Sequence, residues 1–207
     1  MNRVLVTGFG AFRDIEANPS QWLAERVLNY DPVLDLPLNE DRLTPPIFNG
    51  EGKNEPNSIR VRVLEVSYAA VDEFVAELDR ESFDAWLMMG VHGSAERMHL
   101  ECVARNWCRV GADVRGEVRG PGMIDPSLPG QLHGNLFAGR WEGVTIDAGG
   151  YLCNYLFFRG VSRFPAKRIG FLHVPRAEVM GLEDQWVIVR GMIDELTTNI
   201  DSGSSPE

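Results

Sequence analysis

Lysine is almost missing from this chain of 207 residues. Only Lys53 and Lys167 occur, so nearly all of the 20 basic side chains are arginines, set against 30 acidic ones. The resulting net charge of −10 works against nucleic acid, and against an anionic membrane surface, as the main partner. Long apolar runs are missing too. No stretch approaches the roughly 20 residues that a membrane-spanning helix needs, and the opening Met1-Asn-Arg-Val-Leu-Val-Thr7 enters a strand pattern at once. Cysteine is scarce, at three residues: Cys102, Cys108 and Cys153. An odd number in a mid-sized chain without a secretory signal points to reduced thiols and a cytoplasmic location, and away from a disulfide framework. Repeats are absent, and low-complexity text is confined to the tail 201–207, which is expected to be disordered.

What is present suits one α/β domain over residues 1–200. The hydrophobic share of 44% and charged share of 24% match a soluble globular protein, and dividing this length in two would leave thin cores. Residues 3–7 form a short β-branched run ending in glycine, as a buried sheet strand does. The loop that follows, Gly8-Phe-Gly-Ala-Phe-Arg13, begins like a dinucleotide fingerprint, but Arg13 stands where the third glycine belongs, so that reading is rejected. Asn18-Pro-Ser-Gln21 reads as a helix start, with Asn18 as N-cap, Pro19 in the first turn and Gln21 reaching back. Residues 31–58 lose periodicity and form a long connection. Residues 59–66 alternate as a strand, Ser67 caps a helix, and residues 84–90 form a buried strand. That strand–helix–strand unit predicts a parallel core. The fold expected is a three-layer α/β/α sandwich around a mixed, mostly parallel twisted sheet. Residues 98–106 alternate as a further strand, 111–134 are irregular, and a last amphipathic helix carries Trp186, Val189, Ile193 and Leu196.

The chemistry centres on Asp147-Ala-Gly-Gly-Tyr-Leu-Cys-Asn-Tyr155. A strand over 144–148 runs into two glycines and then into a helix, with Cys153 in the first turn. Unpaired N–H groups and the helix dipole favour an anion there, and so a thiolate nucleophile. A small buried core residue is the alternative. His173 lies near the end of the apolar strand Arg168-Ile-Gly-Phe-Leu-His-Val174 and can face the same crevice, although most lone histidines on such strands are satisfied core residues. Glu101 lies mid-strand between apolar neighbours, where a carboxylate needs a partner. Either it orients the histidine, or it pairs with Arg105 or Arg109 on an exposed face. Phe9 and Phe12 line a loop after a strand end, where α/β folds place ligands, or they pack on the core. No recognised ligand spacing joins His92, His99, Cys102 and Cys108, so no metal and no cofactor is expected.

Four separated blocks resemble the pyroglutamyl peptidase I (pyrrolidone-carboxylate peptidase) family of cysteine peptidases. They are Val4-Leu-Val-Thr-Gly-Phe-Gly-Ala-Phe12 with Asn18-Pro-Ser20, then Leu100-Glu-Cys-Val-Ala-Arg-Asn106, Ala148-Gly-Gly-Tyr-Leu-Cys-Asn-Tyr155, and Gly170-Phe-Leu-His-Val-Pro175. Matched position by position, the resemblance implies a catalytic triad of Glu101, Cys153 and His173. It also implies stacking of pyroglutamate by Phe9 and Phe12, with Asn18 beside them among the substrate-binding residues. The text after Gly90 and around Arg109 departs from the family's pattern. The activity implied is release of N-terminal pyroglutamate from a small peptide substrate through a thioester, by a homodimer or homotetramer. Two alternatives stay open: an amidase with the same triad and a different small N-acyl specificity, and a non-catalytic homologue acting as a binding protein.

Overall fold

Strand β1 (Val4–Phe9) is buried along its whole length, which is why its sequence is mostly apolar instead of alternating, with Thr7 its one polar side chain. The computed structural model describes residues 3–13, 15–30, 58–137, 144–145 and 148–198. Around β1 lie β2 (Ile59–Leu64), β3 (Ala85–Val91), β4 (His99–Glu101), β7 (Val144–Thr145) and β8 (Arg168–Val174). The six strands form one sheet of order β2-β1-β3-β8-β4-β7. β2, β1, β3 and β8 run parallel, and β4 runs antiparallel to β8 and parallel to β7. The sheet is thus mixed and mostly parallel. A separate antiparallel pair joins β5 (Val103–Arg105) to β6 (Gln131–His133).

Helices cover both faces. α2 (Tyr68–Glu77) and α3 (Leu152–Arg163) pack on one, α1 (Pro19–Leu28) and α4 (Leu182–Thr197) on the other. Alternation along the strands sorts the core accordingly. Leu5, Phe9, Trp86, Met88, Ile169 and Phe171 face α2 and α3, whereas Val4, Val6, Leu87, Met89, Leu172 and Val174 face α1 and α4. The expected three-layer α/β/α arrangement is the one observed.

Local chemistry sets the helix starts. Asn18 Oδ1 accepts from the Ser20 N–H at 3.0 Å, and Ser67 Oγ accepts from the Ala70 N–H at 3.1 Å. Gln21 does not reach back to the cap. Its amide donates to Glu25 Oε1 at 2.8 Å, one turn on. The single strand expected over 98–106 is also corrected. It breaks at Cys102, because the main chain changes partners there from β8 and β7 to β6. The strand expected over 144–148 is observed as Val144–Thr145, with 146–147 outside the described residues. The connection over 31–57 and the tail 201–207 also lie outside them. Among the described residues no helix is long and apolar enough to cross a membrane.

Candidate active site

The parallel strands β1, β3 and β8 end at one edge of the sheet, and the site is built there. His173 is the sixth residue of β8. It shares the α3 face with Phe171, whose ring meets the imidazole at 4.9 Å. β4 lies antiparallel beside it, with Glu101 opposite Phe171, so the Glu101 carboxylate is the diagonal neighbour of His173. Glu101 Oε1 sits 2.8 Å from His173 Nδ1, and the two residues are 3% and 2% exposed. A buried carboxylate in this position is hydrogen-bonded to the imidazole, which answers the need for a partner.

Cys153 arrives from the other direction. Gly149, at φ +80°, turns the chain, and α3 opens at Leu152 with Tyr151 as its cap. The turn is anchored by the Arg109 N–H, which donates to the Gly150 carbonyl at 2.7 Å. Asn154, fully buried beside the thiol, accepts from the Arg105 N–H at 2.7 Å and donates to the Arg105 and Trp107 carbonyls at 2.8 and 3.0 Å. Those bonds tie the first turn of α3 to the segment that follows Glu101. Gly90 on β3 leaves room for the thiol: a Cβ there would lie 2.8 Å from Cys153 Sγ and 2.9 Å from Phe171 Cζ.

Glu101 hydrogen-bonds His173, and the Cys153 thiol is near enough to the imidazole to act on its proton affinity. Burial disfavours the charged imidazole, but Cys153 and Glu101 together outweigh it, raising the His173 pKa from 6.5 to about 9. Thiol, imidazole and carboxylate are therefore gathered in one cluster. The other two cysteines do not share this arrangement. Burial pushes the Cys108 thiol up, and none of the three cysteines is in a disulfide.

The loop residues gather nearby. Phe9, 3% exposed, belongs to the core cluster on the α2/α3 face, and Phe12, Tyr151 and Cys153 pack against that cluster. The ring partner of Phe12 is Tyr151, at 5.5 Å and 33°. Asn18 Nδ2 donates to the Gly10 carbonyl at 2.7 Å, so its amide ties the Gly10 loop to the start of α1. Sequence alone assigns no role to Gly90, Tyr151 or Asn154. The glycine at the end of a buried strand and the neighbours of Cys153 are the signals that could have found them. His92 is a further addition, its ring edge-on to His173 at 5.1 Å. Among the described residues no group of three or more His, Cys, Asp or Glu side chains is placed to hold a metal ion.

An α/β sandwich that gathers a cysteine from a helix start, a histidine from a parallel strand and a glutamate from the antiparallel strand beside it has the make-up of cysteine peptidases with a nucleophile, a base and an orienting carboxylate. Comparison with known proteins narrows the class. The pyrrolidone carboxyl peptidase of Thermus thermophilus has a solved structure that is 30% identical in sequence, covers 93% of this chain and 98% of its own, and superposes with a TM-score of 0.69. The fold is shared with the pyrrolidone carboxyl peptidase of Pyrococcus furiosus, at 21% identity and a TM-score of 0.70 over 94% of this chain and 97% of that one. The pyrrolidone-carboxylate peptidase of Mycobacterium marinum is 25% identical over 193 residues, 84% of this chain and 78% of its own length. That of Cupriavidus taiwanensis is 27% identical over 191 residues, covering 84% and 79%. No family model matches the sequence. The chain belongs to the pyrrolidone carboxyl peptidase family.

Proposed function

We propose that this chain removes an N-terminal pyroglutamyl residue from small peptides, as a cysteine-type exopeptidase working through a thioester acyl-enzyme. The observation that carries the reading is buried His173 hydrogen-bonded to Glu101 with the Cys153 thiol acting on the same imidazole, in a member of this family. Glu101 engages Nδ1, so Nε2 is the nitrogen left to serve the thiol. His173 takes the Sγ proton, and the thiolate attacks the carbonyl carbon of the pyroglutamyl group. A C–S bond forms while the carbonyl π electrons move to oxygen. The Cys153 N–H, in the first turn of α3, faces this oxyanion, and one such donor contributes roughly 2.7–4 kcal/mol. Collapse breaks the C–N bond, and Nε2–H protonates the departing amine. His173 then takes a proton from water, whose oxygen attacks the thioester. Cleavage of the C–S bond releases pyroglutamate and returns the proton to Sγ.

Phe9 and Phe12 receive the uncharged five-membered lactam in this reading, because apolar rings favour a flat neutral group over an ionised glutamate that would lose its hydration. Asn18 acts by holding the Gly10 loop that carries both rings. A nucleophile that must stay a thiol suits a reducing compartment, which favours the cytoplasm. No step calls on a cofactor.

The test is turnover of a pyroglutamyl peptide, with free pyroglutamate identified as the product. Wild type should release it, and Cys153→Ser should not while staying folded with a cooperative melt, since the hydroxyl is nearly isosteric but is not ionised by His173. Equal cleavage of other small N-acyl groups would make the chain an amidase of different specificity. No cleavage, together with slow iodoacetamide labelling at all pH values, would make it a binding protein.

A further inference from the structure

Arg13 holds φ +51°, the left-handed region that a side chain bearing a Cβ seldom occupies. Its guanidinium lies 4.6 Å from the centre of the Phe12 ring and 5.8 Å from that of Tyr151. Arg109 comes to the same Tyr151 ring, at 5.6 Å. Both arginines are exposed, and neither has a carboxylate partner among the described residues. Other arginines nearby are neutralised: Arg119 by Asp72 and Glu117, Arg159 by Asp72, and Arg115 by Glu65. The Tyr151 phenol feels Arg13, Asp113, Arg109 and Cys153 together, so the two arginines, neither in a salt bridge among the described residues, stand close to the candidate nucleophile. They stand out on a chain whose net charge of −10 repels anions.

A pyroglutamyl group is neutral, so it makes no use of these charges. A carboxylate close to the scissile amide must belong to the leaving portion, which departs toward the exposed mouth. We propose that Arg13 and Arg109 form a cationic rim that selects substrates bearing a carboxylate on the residue directly after pyroglutamate. The carboxylate is either the free C-terminus of a pyroglutamyl dipeptide or an acidic side chain at that position. The inference rests on the pyroglutamyl-peptidase reading. The rings of Phe12 and Tyr151 hold the guanidinium planes in place, which lowers the ordering cost of the ion pair. Exposed pairs are individually weak, so each arginine supplies roughly two- to fivefold and the pair about tenfold in kcat/KM.

Three substrates test it: pyroglutamyl-alanine, its C-terminal amide, and pyroglutamyl-glutamic acid α-amide. Wild type at low salt should cleave at least one of the two carboxylate-bearing substrates about tenfold more efficiently than the neutral amide, and added salt should shrink that ratio. Whichever of the two wins identifies the source of the carboxylate. In an Arg13→Gly/Arg109→Gln variant the ratio should fall to about one, the glycine keeping the left-handed turn without strain. Arg109→Glu should invert it, and Arg109→Gln alone should lower it part-way. A wild-type ratio of one, or a ratio that survives in the double variant, would overturn the rim. Failure of the underlying reading looks different: no pyroglutamyl substrate, neutral or charged, is turned over at all, and the rim proposal ends with it.

Discussion

Gly90 and the Cys153 thiol are packed so closely that one methyl group at residue 90 would lie 2.8 Å from Sγ. Phe171 closes the other side, with Cζ 2.9 Å from the same point. β3 therefore serves as a floor under the Cys153 thiol. Gly90→Ala should push the thiol out of place and overpack the floor, costing about 1–3 kcal/mol in stability. Activity should fall further than stability, by about a hundredfold, because an ångström of misplacement is enough. Kinetics and thermal melts on the same preparation check this, and normal turnover by the Gly90→Ala variant would show that the thiol does not work from this position.

Glu101→Gln should lower kcat by about 10²–10⁴-fold and leave KM nearly unchanged, since the carboxylate acts on the imidazole and not on the substrate. The amide keeps the shape but cannot stabilise an imidazolium. Steady-state kinetics decide it. A kcat equal to that of wild type would reduce Glu101 to a structural partner of the buried histidine.

The raised pKa of His173 has a signed consequence for stability. The folded value of about 9 lies above the ordinary 6.5, so the folded protein holds the proton more tightly than the unfolded chain does. The stabilisation is fully present below pH 6.5 and is lost as pH rises through about 9. Chemical denaturation across that window should show wild type weakening. Cys153→Ser and Glu101→Gln should each flatten the slope, because each removes one of the two partners that raise the value. A wild-type stability that does not change across the window would contradict the pairing.

Much of this was legible in the chain. The buried runs of β1, β3 and β8, the Asn18 and Ser67 caps and the glycine pair before α3 all follow from local physics. Cys153, His173 and Glu101 were each ambiguous from their local setting, and the resemblance to the family is what joined them. The role of Gly90 was not legible: a strand-end glycine reads as a turn until β3 is seen to lie against the Cys153 thiol. The break at Cys102 was hidden for a related reason. Alternation continues through it while the hydrogen-bonding partner changes, and only tertiary structure records a partner. Arg13 reads in the sequence as a missing glycine, and its φ of +51° shows that the backbone kept the glycine-like conformation under an arginine side chain.

Phe12→Ala should raise KM for a pyroglutamyl substrate, with a binding loss on the order of 1–3 kcal/mol. The same change removes one ring partner of Tyr151, which keeps Tyr68, and the surface under Arg13. Discrimination against an N-terminal glutamyl analogue should therefore shrink along with affinity. Unchanged KM and unchanged discrimination would move the acyl pocket away from this loop.

The account turns on a pyroglutamyl thioester at Cys153, and acid-quenched mass spectrometry observes it directly. Wild-type enzyme mixed with excess pyroglutamyl substrate and quenched within the first turnovers should carry one pyroglutamyl group on the peptide that contains Cys153. Cys153→Ser should carry none. An adduct on Cys102 or Cys108, or steady release of pyroglutamate with no adduct on any cysteine at any quench time, would contradict the account.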